Sequence, residues 1–187
     1  CIPDPRDWQL KRQWAPQDWL AHDIMVGIHC WLGSREIMFK AGPWDESLRV
    51  NQDGEYFCRV IAKTDAVLFD DTVEVFYRRE GGGVSRFTAE KADSLWKSIE
   101  SMEATALGLE DSERMRQMVS NRVQHFIYTV YPHAKLLRQK AKLKLVNLPA
   151  PTIANPNAVS FLSKIICTFL GWRVLTHLRL LKNRISQ

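Results

Sequence analysis

HCWLGSREIMFKAGPWDESLRVNQDGEYFCR, residues 29–59, sets a short apolar segment, a helix start, a Gly-Pro turn, an acidic loop and a second helix close together in the chain. Ser34 is placed as a helix N-cap with Glu36 in the first turn, and Ile37, Met38 and Ala41 can face a core. Gly42-Pro43 must end that helix, because Gly accepts a left-handed C-terminal position and Pro has no N–H to give to the preceding turn. Trp44-Asp45-Glu46-Ser47-Leu48 then reads as a tight, partly buried loop, and Asn51-Gln52-Asp53-Gly54 collects residues that favour caps and turns. Beyond it Tyr56, Phe57, Val60 and Ile61 recur at helical spacing. Asp53 is therefore predicted in the first turn of a helix, where the helix dipole favours its ionised form. A carboxylate held there can take a proton from a hydroxyl, as a general base does. An Asp before a Gly at a helix start also suits a plain cap.

WLGSRE, then AGPWDESL, then DGEYFCRV resemble the acceptor-side half of a family 2 glycosyltransferase domain. In that family a helix ends at Gly-Pro or Gly-Gly before Trp/Phe-Asp-Glu, and a following acidic motif carries the catalytic base. The resemblance implies an α/β fold: the C-terminal part of a GT-A (Rossmann-like) domain, followed by a mainly α-helical extension. It implies an inverting glycosyltransferase with Asp53 as general base, and with Trp31 and Gln52 where acceptor or sugar contacts fall. FYRREGGGVS, residues 76–85, resembles the Tyr-Arg and serine loop after the family's last strand, which brings Arg78 to the substrate. Some relatives carry a metal-binding His in that loop, and this chain has none there. A nucleotide-sugar donor, a divalent metal (Mg or Mn) and a sugar or lipid-linked acceptor are implied for the complete enzyme. No Asp-x-Asp follows a predicted strand, so the chain alone is expected to hold an acceptor site without a donor site and to be inactive. The resemblance is close over 1–87 and looser beyond.

Read from the residues, Trp31 and Trp44 are both large enough to be core anchors, and Trp44 is taken as one. Gln52 suits either a site or a solvated loop, Glu55 a first-turn charge partner, and His29 an edge residue or a ligand. Asp70-Asp71 lies between two predicted short strands, 66–69 and 73–77. Hard divalent cations favour such pairs, but Asp is a favoured turn residue, and no metal ligand is assigned. A further buried strand is predicted within 24–32, and Pro16 opens a short helix. From Thr88 a helix turns Leu95, Ile99, Met102 and Ala106 inward and ends at Gly108. Asp111 or Ser112 caps the next, with Met115, Met118, Val119, Val123, Phe126, Ile127 and Val130 inward. The organisation expected is 1–87, 88–131 and 132–187.

A chain of 187 residues can bury one ordinary core plus an appendage. Its net charge of +5 hides an asymmetry: residues 132–187 hold ten Lys and Arg and no acid, while 1–131 carry 16 against 21, a net −5. A basic tail on an acidic body points to an anionic partner for the tail. Apolar residues recur through 161–185, but Lys164, Arg173 and Arg179 interrupt every window long enough to span a bilayer. The segment reads as amphipathic helix, lying either on anionic lipid or on the protein's own acidic body. Nucleic acid is a weaker partner, since single-strand binders interleave exposed aromatics with their cations. The alternative to an enzyme is a non-catalytic module that binds a membrane surface or another polyanion. Four cysteines without metal-ligand spacing suit reduced thiols in a cytoplasmic protein, peripheral on the inner membrane face through its tail. No signal peptide is visible, and a start at Cys1 in mid-pattern reads as a piece of a longer protein.

Overall fold

The computed structural model describes residues 12–24, 26–76, 88–156 and 158–185. Within them the fold is mostly helical: α1 (Pro16–Ala21), α2 (Arg35–Ala41), α3 (Gln52–Ile61), α4 (Ala92–Leu109), α5 (Glu113–Val130), α6 (Lys135–Leu145), α7 (Phe161–Phe169) and α8 (Trp172–Ile185). One antiparallel sheet joins β1 (Gln13–Trp14) to β2 (Val67–Leu68).

No Rossmann-like parallel sheet forms among the described residues, which corrects the α/β expectation for this part of the chain. The strand expected within 24–32 is a single turn of 3-10 helix, Ile28–Cys30, with no buried residue. Residues 73–76 run exposed and outside any strand, and only 66–69 keeps its strand, shortened to Val67–Leu68. The physical reason is partnership. A run of β-favouring residues is stable as a strand only where a neighbour takes its ladder and a core takes one face.

The helical expectations hold closely. Ser34 caps α2, its Oγ accepting from the Ile37 N–H at 3.3 Å, and Gly42 ends the helix at φ +80°. Ser112 caps α5 through the Met115 N–H at 3.4 Å. Pro16 is the first residue of α1, and α4 runs one residue past the expected stop at Gly108. Met115, Val119, Val123, Phe126 and Val130 of α5 are fully enclosed, packed with Ile99, Met102 and Ala106 of α4 and with Trp14, Trp19 and Leu20. Ala141 of α6 joins the same cluster, so the spans 1–87, 88–131 and 132–187 share one apolar core. Lys140 and Lys144 of α6 pair with Glu100 and Glu103 of α4, which fastens this part of the basic tail to the acidic body.

Cys58 lies in the core at 3% exposure, and burial pushes its thiol up to about 11. Cys30 is exposed, and Cys58, Cys30 and Cys167 are all free. The thiolate is the reacting form. A thiol reagent near neutral pH is therefore expected to label Cys30 in the native protein and Cys58 only after denaturation, as read by peptide mass mapping. Cys58 labelled as fast as Cys30 in native protein would contradict its burial.

Candidate functional site

The approach to α3 is built by small polar residues on its neighbour. Ser94, Ser98 and Ser101 recur at i, i+4 and i+7 on α4, and so share one face. Ser94 Oγ accepts from the Arg49 N–H at 2.7 Å, and Ser98 Oγ accepts from Asn51 Nδ2 at 3.0 Å. Asn51 sits in the left-handed region at φ 57°, which Asn tolerates better than most residues, and its carbonyl accepts the first bond of α3 from the Glu55 N–H. Ser101 Oγ donates to Glu55 Oε1 at 2.7 Å.

Glu55 proves to be more than a first-turn charge. It is 3% exposed and takes a two-point bond from Arg59, one turn on, at 2.7 and 3.0 Å. The same guanidinium donates to the carbonyls of Ala41 and Pro43, the latter at 2.9 Å, and so ties the Gly42-Pro43 turn to α3. α2, α3 and α4 thus meet at one buried ion pair.

Asp53 is the second residue of α3, part-buried, with Oδ1 accepting from the Gly54 N–H at 2.9 Å. It lines a cavity of about 30 Å³ together with Trp19, Asp23, Trp31, Gly54 and Arg122. That volume suits one water-sized molecule. Trp31 is fixed there by stacking on Phe57 at 4.9 Å and by an edge contact with Trp19 at 5.6 Å. The indole N–H of Trp19 is buried with no acceptor among the described residues. Arg122 pairs with Asp23 and donates to Met102 Sδ at 2.9 Å. Arg122 and Trp19 therefore share with Asp53 the cavity at the N-terminus of α3.

Of the residues singled out in the sequence, Asp53 and Trp31 come together on this cavity, while Gln52 stands beside it, half-buried at the start of α3, without lining it. Arg78 lies outside the described residues, as do the loop 81–85 and Tyr77. Trp44 is the anchor expected, stacked on Tyr56 at 4.2 Å. His29 is exposed on the 3-10 turn and does not line the cavity.

Asp23 and Arg122 also line the cavity, though neither is among the residues singled out in the sequence. Arg122 had a signal: it falls at i+4 from Met118 and i−4 from Phe126, a cation within an apolar stripe. Asp23 had none, since its position depends on a left-handed φ of 54° just after α1.

The carboxylates here do not fit the Mg or Mn that the resemblance implies. Asp70 Oδ1 accepts from the Thr72 N–H at 2.9 Å and from its hydroxyl at 2.6 Å, bonds that hold its carboxyl below the usual range. Asp71 pairs with Arg12 at 2.9 Å, and Glu55 is taken by Arg59 and Ser101. Asp70-Asp71 opens a bend after β2, without the second strand that the expected turn was to join. Among the described residues no three His, Cys, Asp or Glu converge as ligands. Comparison of the chain with protein-family models, with curated proteins and with solved structures found no match.

Proposed function

We propose that this chain carries the acceptor side of an inverting glycosyltransferase, with Asp53 as its general base. The observation that supports this most is the setting of Asp53: in the first turn of α3, lining a cavity with Trp31, and with no donor among the described residues on its second oxygen. The pattern AGPWDESL followed by DGEYFCRV points the same way. In the proposed reaction the acceptor hydroxyl gives its proton to the Asp53 carboxylate as its oxygen bonds to the anomeric carbon. The bond from that carbon to the nucleoside diphosphate breaks on the opposite face, and the configuration inverts. A cavity of about 30 Å³ holds neither sugar nor nucleotide, so the acceptor is proposed to lie against the part-exposed Asp53 and Trp31. Gln52, beside them, is a proposed sugar contact, and Arg78 another. Trp31 would pack on the sugar with the part of its indole that Phe57 leaves exposed. The nucleotide-sugar is proposed to be bound by a donor half outside these residues.

The test is sugar transfer by the native protein that contains this chain, against its Asp53→Asn form. Near-equal rates would remove Asp53 from the reaction. A second reading, a membrane-surface module without catalysis, draws on the apolar faces of α7 and α8, and those faces carry an inference that does not depend on Asp53.

A further inference from the structure

α7 is turned inside out for a helix on a water-facing surface. Its N-terminus is closed by a capping box, in which Ser160 Oγ accepts from the Ser163 N–H at 3.2 Å and Ser163 Oγ accepts from the Ser160 N–H at 2.8 Å. Ser163 is the residue it buries, at 5% exposure, while Phe161 and Phe169 are 78% and 80% exposed and Leu162 and Ile165 are exposed beside them. At about 100° per residue these four apolar side chains share one arc of about 100°, and Ser163 lies on the other side. α8 packs against α7 and is itself anchored by Leu175, Thr176 and Trp172, the last edge-on to Tyr128 and Tyr131 at 5.0 Å. Val174, Leu178 and Leu181, at i, i+4 and i+7, form a second exposed stripe. Exposed apolar residues standing singly are ordinary, but two continuous stripes on touching helices mark an interaction surface.

Charge decides the occupant. Lys164 flanks the α7 arc, Arg173 follows at the start of α8, and both are exposed. Residues 132–187 contain no Asp or Glu. A second copy of this face would set cations against cations, whereas an anionic bilayer offers apolar depth and negative headgroups together. Lys140 and Lys144 take no part, because α6 has already paired them with α4. No helix among the described residues is long and apolar enough to cross a membrane, so the contact is interfacial. We infer that α7 and α8 dock the protein on an anionic lipid surface, with Phe161, Leu162, Ile165 and Phe169 inserted at the headgroup boundary.

Flotation of the whole protein tests this, with vesicles of phosphatidylcholine alone and of phosphatidylcholine mixed with phosphatidylglycerol. The protein is expected to float with the mixed vesicles and to partition at least about tenfold less onto phosphatidylcholine. Phe161→Gln with Phe169→Gln should lower partition onto mixed vesicles about 100-fold, and Lys164→Glu with Arg173→Glu should remove the preference for the anionic lipid. All four side chains are exposed, so far-UV circular dichroism should show unchanged helix content. Equal flotation of the Phe161/Phe169 variant and wild type overturns the inference, as does the absence of flotation with either vesicle. A dimer in sedimentation that this variant splits overturns it too, by making a second copy the occupant.

Discussion

Replacing Arg59 with alanine is expected to lower folding stability by about 3 kcal/mol, seen as an earlier urea midpoint at unchanged slope. The change strands Glu55, whose carboxylate is buried between α3 and α4 and, among the described residues, keeps only the Ser101 hydroxyl as a side-chain donor. It also removes the bonds from the guanidinium to the Ala41 and Pro43 carbonyls. The figure is at the low end for a broken buried pair because the Arg59 side chain keeps 21% of its surface in water against 4% for Glu55. Removing the charge from both partners, Glu55→Gln with Arg59→Met, should recover most of the loss, since no ion is then left buried. Glu55→Gln alone should cost about 1–2 kcal/mol, because an amide is cheaper to leave imperfectly paired than an ion. If Arg59→Ala lowered stability by less than about 1 kcal/mol, the pair would not be what joins α2, α3 and α4.

Asp53→Asn is expected to reduce turnover by about 10²–10⁴-fold, the range that a positioned acid or base contributes. Stability should change little, because Asn keeps the shape of Asp and its amide oxygen can still accept from the Gly54 N–H. That separation is what distinguishes a base from a cap. A residue that only caps would leave the urea midpoint and transfer both near their native values, since Asn caps about as well as Asp. KM for the acceptor should also stay near the native value, since the proton is taken in the transition state and not on binding.

Much of this part of the fold follows from local chemistry that is legible one residue at a time. Ser34, Gly42 and Ser112 bound their helices through bonds to residues three or four away, and the stripe from Met115 to Val130 needs only helical spacing to be read as buried. Expectations failed where the answer depends on a distant partner. The apolar run near Ile28 lacks a neighbouring strand to pair with and coils into a 3-10 turn instead. The serines of α4 look like ordinary polar residues until Arg49, Asn51 and Glu55 arrive opposite them. Arg122 was legible as a misplaced cation, but its pairing with Asp23 rests on a left-handed residue that no short motif announces. α6 carries five cations and α7 carries one, Lys164, among apolar residues. Two of the α6 cations pair with acids of α4, whereas α7 leaves Phe161, Leu162 and Phe169 exposed.

If Asp53 activates an acceptor for inverting transfer, the configuration of the product must show it. The native protein that contains this chain, given an α-linked nucleotide sugar and its acceptor, should release nucleoside diphosphate only when the acceptor is present. It should yield a β-linked product by NMR of the anomeric proton. An α-linked product, or no acceptor-dependent release with any nucleotide sugar, would contradict it.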